Sequence, residues 1–236
     1  MENKECIEMD IADSVMERPT GFNIGSRSFF IYPPTLGKTY LLARLFKELD
    51  ANQQIVAANP YMEAIRLCNT KKNIVCRILS YSTFNRKKDI FNNTKIAERA
   101  DFFCENLDLE ELATLLVLIL TSDNLETYIG YFGIDKERKE RKRIADIKKD
   151  NGSITFGGNS VYGTLIDFAC QRYGWTMDYV VWGISHINLR MLMADAITAI
   201  YLNAEERKQL NIFDNKEYIN ADDHRNEELI NKILSD

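Results

Sequence analysis

Residues 21–49 of the 236-residue chain, GFNIGSRSFFIYPPTLGKTYLLARLFKEL, contain the change of periodicity that decides the fold. Before Gly25-Ser26 apolar residues alternate with polar ones, and after it the chain is aromatic and β-branched, which predicts a β-hairpin closed by a two-residue II′ turn. Pro33-Pro34 ends the second strand because proline cannot donate a hydrogen bond to a neighbouring strand. From residue 36 onward leucines recur at helical spacing, so a helix is predicted over residues 36–49. One hairpin is not a stable sheet, and we therefore expect it to pack on helices or on another chain.

The composition favours helices throughout the chain. It includes only 11 glycines and 4 prolines, which is about half their usual combined share. So few chain-breaking residues favour long helices and argue against a sandwich or barrel with many turns. We predict a mainly α protein, with a helical bundle-like body and a short N-terminal β-hairpin (α+β at most).

Further helices are expected from capping patterns and apolar periodicity. One begins at Pro60, since proline is favoured at the first helical position. The pattern Asp108-Leu-Glu-Glu111 predicts a capping box that opens the apolar run LATLLVLIL at residues 112–120, which we interpret as a fully buried core helix. This run is far shorter than the roughly 20 residues of a transmembrane helix, and no membrane association is expected. In the C-terminal part, helices are predicted over residues 160–173, 176–183 and 186–202.

Shifts in composition divide the chain into five segments. An acidic arm without apolar periodicity precedes the hairpin and is expected to be frayed. A loop with several glycines and serines separates the chain into two halves. The predicted segments are the N-terminal arm (1–20), the hairpin with a helical domain ending in a charged helix (21–150), the loop (151–160), a C-terminal helical unit (161–204) and an acidic polar tail (205–236) with a terminal helix at 223–234.

Cysteine usage and the N-terminal sequence indicate a cytoplasmic protein. The five cysteines are odd in number and never form a Cys-x-x-Cys pair, unlike those of a secreted disulfide framework. The N-terminus is acidic and lacks the apolar segment of a signal peptide. We therefore expect reduced cysteines. With a net charge of −5, the chain has no overall positive field to hold nucleic acid.

The triplet Gly37-Lys38-Thr39 follows a predicted strand and opens a predicted helix, as the end of a phosphate-binding P-loop does. The full motif also needs a glycine five residues earlier, where this chain has Tyr32. Pro33 and Pro34 have no N–H to direct at a phosphate group. We interpret the triplet as a helix start, and the alternative is a nucleotide-dependent enzyme that uses this degenerate turn.

Two carboxylates, Asp167 and Asp195, lie in apolar helical sequence. A buried pair of carboxylates can share a proton or a metal ion. No histidine lies within one helical turn of either residue, and Arg172 and Arg190 are available as partners. We interpret both as interhelical ion pairs or helix caps.

The two histidines, His186 and His224, give no metal or catalytic site. Neither has further ligands at a workable spacing, and no cysteine supplies them. No serine or cysteine nucleophile stands near them in a motif of known chemistry. We therefore assign no catalytic, cofactor-binding or metal-binding residue and expect no cofactor.

Residues 136–149, from Lys136 to Lys149, form a basic run interspersed with acidic residues. The pattern predicts a solvated helix with charge pairs one turn apart. No aromatic side chain lies among the charges to stack on a base, which argues against binding of single-stranded nucleic acid. A helical adaptor that binds nucleic acid through this run stays open as an alternative, and its affinity would fall as salt rises.

An aromatic and methionine-rich zone in the C-terminal unit includes Trp175, Tyr179, Trp182 and Met191. Such side chains can form an adaptable groove for the apolar helix of a partner protein. Because they recur at helical spacing, packing in the core is the other interpretation. These four are our candidate partner-binding residues.

Three segments together resemble the tail assembly chaperones of long-tailed bacteriophages. The first is the hairpin and helix FNIGSRSFFIYPPTLGKTYLLARLFKEL at residues 22–49, and the second is the Asp-Leu-Glu-Glu-Leu segment that opens the leucine-rich helix. The third is GTLIDFACQRYGWTMDYVVWGISHINLRMLMADA at residues 163–196, in which Tyr-Gly-Trp precedes a short helix and a long one. The charged run and the acidic tail make this chain longer than many members of that family.

The resemblance implies a non-enzymatic protein of a phage or prophage that acts in the bacterial cytoplasm during tail morphogenesis. It would coat the long, aggregation-prone helices of the tape measure protein until tail tube subunits replace it. The expected partners are the tape measure protein, the tail tube protein and further copies of the chain itself. The family has no residue-level binding motif, so the resemblance assigns no contact residues.

Overall fold

The computed structural model describes residues 2–148 and 156–210, and most of these residues are helical. The chain divides into two compact units, one comprising Met1–Glu137 with Thr155–Ile197 and the other Arg138–Ile154 with Thr198–Asp236. This grouping differs from the two predicted halves, because residues 155–197 belong to the same unit as residues 1–137. Most of the predicted loop at 151–160 and the predicted terminal helix at 223–234 lie outside the described residues.

The described elements confirm the predicted fold class of a mainly α protein with a short N-terminal hairpin. The strands are β1 (Thr20–Ile24) and β2 (Arg27–Ile31). The helices up to residue 148 are α1 (Glu2–Val15), α2 (Leu36–Leu49), α3 (Gln53–Ala58), α4 (Pro60–Ser82), α5 (Lys87–Ile90), α6 (Asn93–Asn106), α7 (Leu109–Leu120), α8 (Leu125–Phe132) and α9 (Ile134–Ile147). A π-helical turn (Tyr162–Ile166) then leads into α10 (Asp167–Tyr173), followed by α11 (Met177–Trp182), α12 (His186–Ala194) and α13 (Ala204–Gln209).

The hairpin has the predicted two-residue turn at Gly25-Ser26. Strands β1 and β2 are antiparallel, with Phe22 opposite Phe29 and Ile24 opposite Arg27. Gly25 has a φ of +57°, which glycine adopts without the steric cost that a side chain would add. Both phenylalanines point to the helical body, where Phe103 of α6 lies 6.0 Å from Phe22 and 5.1 Å from Phe29 between ring centroids. The expectation that the hairpin packs on helices is confirmed.

Helix α4 is the centre of the main core, since α2, α6 and α7 all pack against it. It begins at Pro60, as predicted, and the Asn59 side chain accepts a hydrogen bond from the backbone N–H of Met62. Helix α2 covers the predicted residues 36–49 and buries its leucine stripe here. The largest fully buried apolar side chains of this core are Leu49, Leu67, Ile78, Leu79, Ile90, Phe103, Leu112 and Leu116.

Helix α7 opens with the predicted capping box between Asp108 and Glu111. The prediction that its apolar run is fully buried is wrong, because Leu118 is 41% exposed. The helix packs on α4 through one face, and its opposite face, with Thr114 and Leu118, stays accessible. In the described part of the chain, no single helix is long and apolar enough to cross a membrane, and only α7 and α8 taken together, bent by 44°, have the required length and composition.

The N-terminal arm is not frayed over residues 2–15, where it forms α1, so this prediction is wrong. Polar contacts from distant parts of the chain hold the end of α1 in place. The Ser14 hydroxyl lies 2.9 Å from the Tyr128 hydroxyl, and the Asn188 side chain donates to the Ser14 carbonyl at 2.9 Å. Hydrogen bonds to Tyr128 and Asn188 do not show in an apolar pattern, so the docking of α1 could not be predicted from its sequence.

The C-terminal helices agree with the prediction except at one end. Helix α12 ends at Ala194 and not at residue 202, so that boundary is wrong. The backbone N–H of Asp195 closes the last turn on the Met191 carbonyl, and beyond it the Arg172 guanidinium holds the Ile197 carbonyl at 3.1 Å. Helices α10, α11 and α12 enclose a second apolar cluster around Leu36, Ile166, Ala169, Val180, Ile184 and Leu189.

In the second unit, charged side chains from α9 and from the residue that follows it, Lys148, reach α13 and its following residue. Lys148 forms an ion pair with Glu206 at 3.3 Å, and Arg143 donates to the Leu210 carbonyl at 3.1 Å. Helix α13 begins with a capping box between Asn203 and Glu206, which was not predicted.

Candidate functional site

Four aromatic rings form a continuous row along α10 and the start of α11. Ring centroids are 6.3 Å apart between Phe168 and Tyr173, 4.7 Å between Tyr173 and Trp175, and 5.1 Å between Trp175 and Tyr179. We call Phe168, Tyr173, Trp175 and Tyr179 the aromatic row. Tyr179 is 44% exposed and the other three are half-buried. The structure therefore brings two of the candidate residues, Trp175 and Tyr179, into contact on an accessible surface.

Trp182 is on the same helix as Tyr179 but packs in a different place. Its ring lies edge-on to Phe91 at 5.3 Å between centroids and is packed against the main core. It also covers the backbone of Gly37 at the start of α2, where an added Cβ would come within 2.8 Å of the ring. Trp182 thus joins α11 to α2.

Substituting Gly37 by alanine tests this joint. The new methyl group would overlap the Trp182 ring, so we expect the free energy of unfolding to fall by about 1–3 kcal/mol, the usual cost of overpacking. Urea unfolding, together with the tryptophan emission of the native state, measures the effect. The control is Gly130→Ala in α8, where nothing lies within 4 Å of the added Cβ. An unchanged midpoint and emission for Gly37→Ala would contradict the close packing of Trp182.

Met191 lies apart from the other three candidates. It packs with Ile187 and Ala194 against a third cluster formed by Leu125, Ile129 and Ile134. Met191 therefore packs between α12 and α8. The four candidate residues do not share one surface.

The carboxylates Asp167 and Asp195 are both exposed. Asp167 accepts a hydrogen bond from the side chain of Gln171 at 2.9 Å, and Asp195 is the C-cap residue of α12. Arg190 pairs instead with Asp123 at 2.6 Å. The interpretation of Asp195 as a cap is confirmed, whereas Arg190 pairs with Asp123 and Arg172 donates to the Ile197 carbonyl, so the two arginines are engaged elsewhere.

His186 is the first residue of α12 and is half-buried. Burial, and secondarily the nearby Arg190, lower the pKa of its imidazole below the usual value. Among the described residues no group of three or more histidine, cysteine or acidic side chains could hold a metal ion. His224 lies outside the described residues.

All five cysteines are unpaired, as predicted. Cys68 and Cys76 are buried in the main core. Burial raises the pKa of the Cys68 thiol to about 11 and moves the pKa of Cys76 in the same direction. Because the thiolate is the nucleophilic form, neither residue is activated for catalysis.

Gly37-Lys38-Thr39 forms the first turn of α2, which confirms its interpretation as a helix start. Thr35 is the N-cap, and its side-chain oxygen accepts from the Lys38 backbone N–H at 3.4 Å. The Thr39 hydroxyl donates to the Thr35 carbonyl at 3.0 Å. The hydroxyl and the Lys38 N–H that a phosphate group would require are thus engaged within the turn.

Lys38 is the unexpected residue of this turn, because its side chain is buried. It is only 1% exposed, and its Nζ is the one buried side-chain nitrogen or oxygen in the described residues without a hydrogen-bond partner. The nearest ring is Tyr32, whose centroid lies 5.8 Å from Nζ. Loss of solvation lowers the pKa of Lys38 from 10.5 to about 8.

Lys38 lines a cavity of about 1090 Å³ in the first unit. Its walls come from the end of α1, the strand ends, α2, the end of α7 and the start of α12. The apolar part of the wall includes Pro33, Leu42, Phe46, Ile119 and Ile187. Sequence reasoning missed this cavity, although Lys38 occupies a position of the same helical stripe as Leu42, Leu45 and Leu49.

The basic run from Lys136 coincides with α9, and Lys149 lies outside the described residues. Most of its side chains are exposed, and Arg143 pairs with Glu140 at 3.5 Å. This agrees with the predicted solvated helix containing charge pairs one turn apart.

No protein-family model, curated protein or solved structure matches this chain.

Proposed function

We propose that the protein is a non-enzymatic tail assembly chaperone of a phage or prophage. It would bind the tape measure protein in the bacterial cytoplasm and yield to tail tube subunits as the tail forms. The observation that carries the proposal is the aromatic row. It lies in the Tyr-Gly-Trp segment of the resemblance and presents aromatic surface of the kind enriched at protein interfaces.

The contacts of Tyr179 make it the best anchor in the row. Its ring packs edge-on against Trp175, and an added Cβ on Gly183 would come within 2.3 Å of it. The ring is thus held in one orientation while nearly half of it stays exposed. A rigid aromatic side chain loses little conformational entropy on binding, so more of its contact energy contributes to affinity.

Two segments of the resemblance are joined by backbone hydrogen bonds. Thr35 and Ser185 form an isolated antiparallel bridge, and the His186 backbone N–H donates to the Pro34 carbonyl at 2.7 Å. Together with Trp182 over Gly37, these bonds hold α11 and α12 on the start of α2. Such a support favours the proposal, because an interface residue binds best when its backbone is fixed beforehand.

Co-expression with the large, coiled-coil-rich tape measure protein encoded nearby tests the proposal. We expect the chain to keep that protein soluble and to elute with it in several copies. Tyr179→Ala should weaken the affinity about 30-fold, which corresponds to the loss of about 2 kcal/mol at a binding hot spot.

The matched control is Tyr40→Ala, which removes a ring that is 56% exposed on α2 and is outside the aromatic row. It should leave the affinity unchanged. If the tape measure protein stays insoluble and nothing elutes with it, the proposal is wrong. If both tyrosine variants weaken binding equally, the aromatic row is not the contact surface.

A further inference from the structure

Lys38 combines a buried charge with an accessible cavity. Buried polar groups in folded proteins nearly always have a hydrogen-bond partner, and a buried ammonium group without one is costly. No described side chain or backbone carbonyl accepts from Lys38 Nζ. Lys38 lines the cavity although its Nζ is buried, so an anion that pairs with this uncompensated cation has to draw the ammonium group to the cavity surface.

The two arginines of the cavity wall already have acidic partners. Arg18 pairs with Asp13 at 3.2 Å, and Arg190 pairs with Asp123 at 2.6 Å. All four residues line the same cavity, and each pair neutralises itself. Lys47 and Asp10, the other two charged residues of the wall, have opposite charges and are both exposed to solvent. Lys38 is therefore the buried cation that a ligand would meet without having to displace a carboxylate.

The position of Lys38 in α2 adds to its preference for an anion. It lies in the first turn of a 14-residue helix, where the backbone dipole carries partial positive charge. The Tyr32 ring beside Nζ and the apolar wall exclude water from the ammonium group, which strengthens its attraction for a negative charge.

We propose that this cavity binds an amphiphilic carboxylate, with the carboxylate on Lys38 Nζ and an apolar chain against Leu42, Phe46 and Ile119. One uncompensated cation balances one negative charge. A phosphate monoester carries between one and two negative charges at neutral pH and would leave part of its charge unpaired. The volume of about 1090 Å³ is slightly larger than the usual range of about 300–1,000 Å³ for small-molecule sites, so a chain of medium length fits. This site is independent of the aromatic row and of the chaperone proposal.

Calorimetric titration of the full chain with decanoate tests the inference, with decanol and decyl phosphate as comparison ligands. We expect decanoate to bind at one site and decanol to bind about tenfold more weakly or worse, because decanol lacks the charge that pairs with the ammonium group. Decyl phosphate should bind more weakly than decanoate. Equal affinities for decanoate and decanol, or no decanoate binding at millimolar concentration, would overturn the inference.

Two variants locate the ligand in the cavity. Lys38→Met removes the charge and keeps an unbranched side chain, and it should lower the decanoate affinity about tenfold or more while leaving decanol binding unchanged. Ala43→Trp keeps Lys38 and fills part of the cavity from an exposed position of α2, so it should weaken both ligands. Lys47→Met, at the exposed lysine of the same wall, is the control. If it lowers decanoate affinity as much as Lys38→Met does, the carboxylate is not on Lys38.

Discussion

The variant Lys38→Met is expected to be more stable than the natural chain by about 3 kcal/mol at pH 7. The pKa of Lys38 falls from 10.5 in the unfolded chain to about 8 in the folded one, and each pKa unit corresponds to about 1.4 kcal/mol. Methionine has no charge to bury, and its unbranched side chain occupies the space of the lysine methylene groups. For a chain of this length the gain corresponds to a rise in melting temperature of about 6–12 °C.

The pH dependence of this effect has a defined sign. Below pH 8 Lys38 is protonated in both states, so the folded protein bears the full cost of the buried charge. Between pH 8 and 10.5 the unfolded chain binds more protons than the folded one, and the stability of the natural protein rises with pH. The advantage of Lys38→Met should therefore shrink through this interval.

Urea unfolding at pH 7, 9 and 10.5 measures the effect. Lys47→Met serves as the control, because Lys47 is exposed in the same helix and its removal should change the stability by less than about 0.5 kcal/mol. A destabilised Lys38→Met variant, or an advantage that is constant with pH, would show that the Lys38 ammonium group has a partner in solution.

The second large effect is expected from Phe103→Ala. Phe103 is fully buried and is the only described ring of α6 in contact with both Phe22 and Phe29. Removing it leaves a cavity between the hairpin and the helical body, and the free energy of unfolding should fall by about 3–5 kcal/mol. Hydrogen exchange of the β1 and β2 amides should accelerate more than that of α4, because an isolated hairpin is marginal in water.

Phe132→Ala is the matched control for this substitution. Phe132 is 50% exposed at the end of α8, so its loss should cost far less. If the strand amides of Phe103→Ala stay as protected as those of α4, the hairpin is held by other contacts and the assignment of Phe103 as its anchor is wrong.

Sequence patterns correctly predicted the turns and helix starts that are determined by residues close together in the chain. The hairpin turn, the start of α4 at Pro60 and the capping box at Asp108 all depend on neighbouring residues, and each was found. The end of α12 was missed because apolar residues continue beyond it to Leu202, and contacts with distant residues, such as that of Arg172 with the Ile197 carbonyl, are not visible in the sequence. Helix α1 was missed for the same reason, since its partners lie more than a hundred residues away.

The candidate site could be predicted only in part. The aromatic and methionine-rich zone is visible in the sequence, but helical spacing does not show which ring faces solvent. Trp182 packs over Gly37, and Met191 lies on another helix contact, whereas Phe168 and Tyr173 join the row unpredicted. The only sign of the cavity in the sequence is Lys38, a lysine at a position of the leucine stripe of α2. The other walls of the cavity come from α1, α7 and α12, which are distant in sequence, so the cavity could not be predicted from α2 alone.

The anchoring of α1 has a consequence for synthesis on the ribosome. Tyr128, whose hydroxyl is hydrogen-bonded to that of Ser14, lies 114 residues after Ser14 in the chain. Ser185, whose backbone N–H donates to the Glu17 carboxylate, lies 168 residues after Glu17. At the usual rate of translation these intervals correspond to roughly 6–35 seconds. During this time α2, α4, α6 and α7 can assemble from near neighbours, and α1 gains its contacts with α8 before those with Ser185 and Asn188. A chain truncated before Ser185 keeps the Tyr128 contact but lacks those of Ser185 and Asn188, so a protease should cleave α1 sooner than in the full chain.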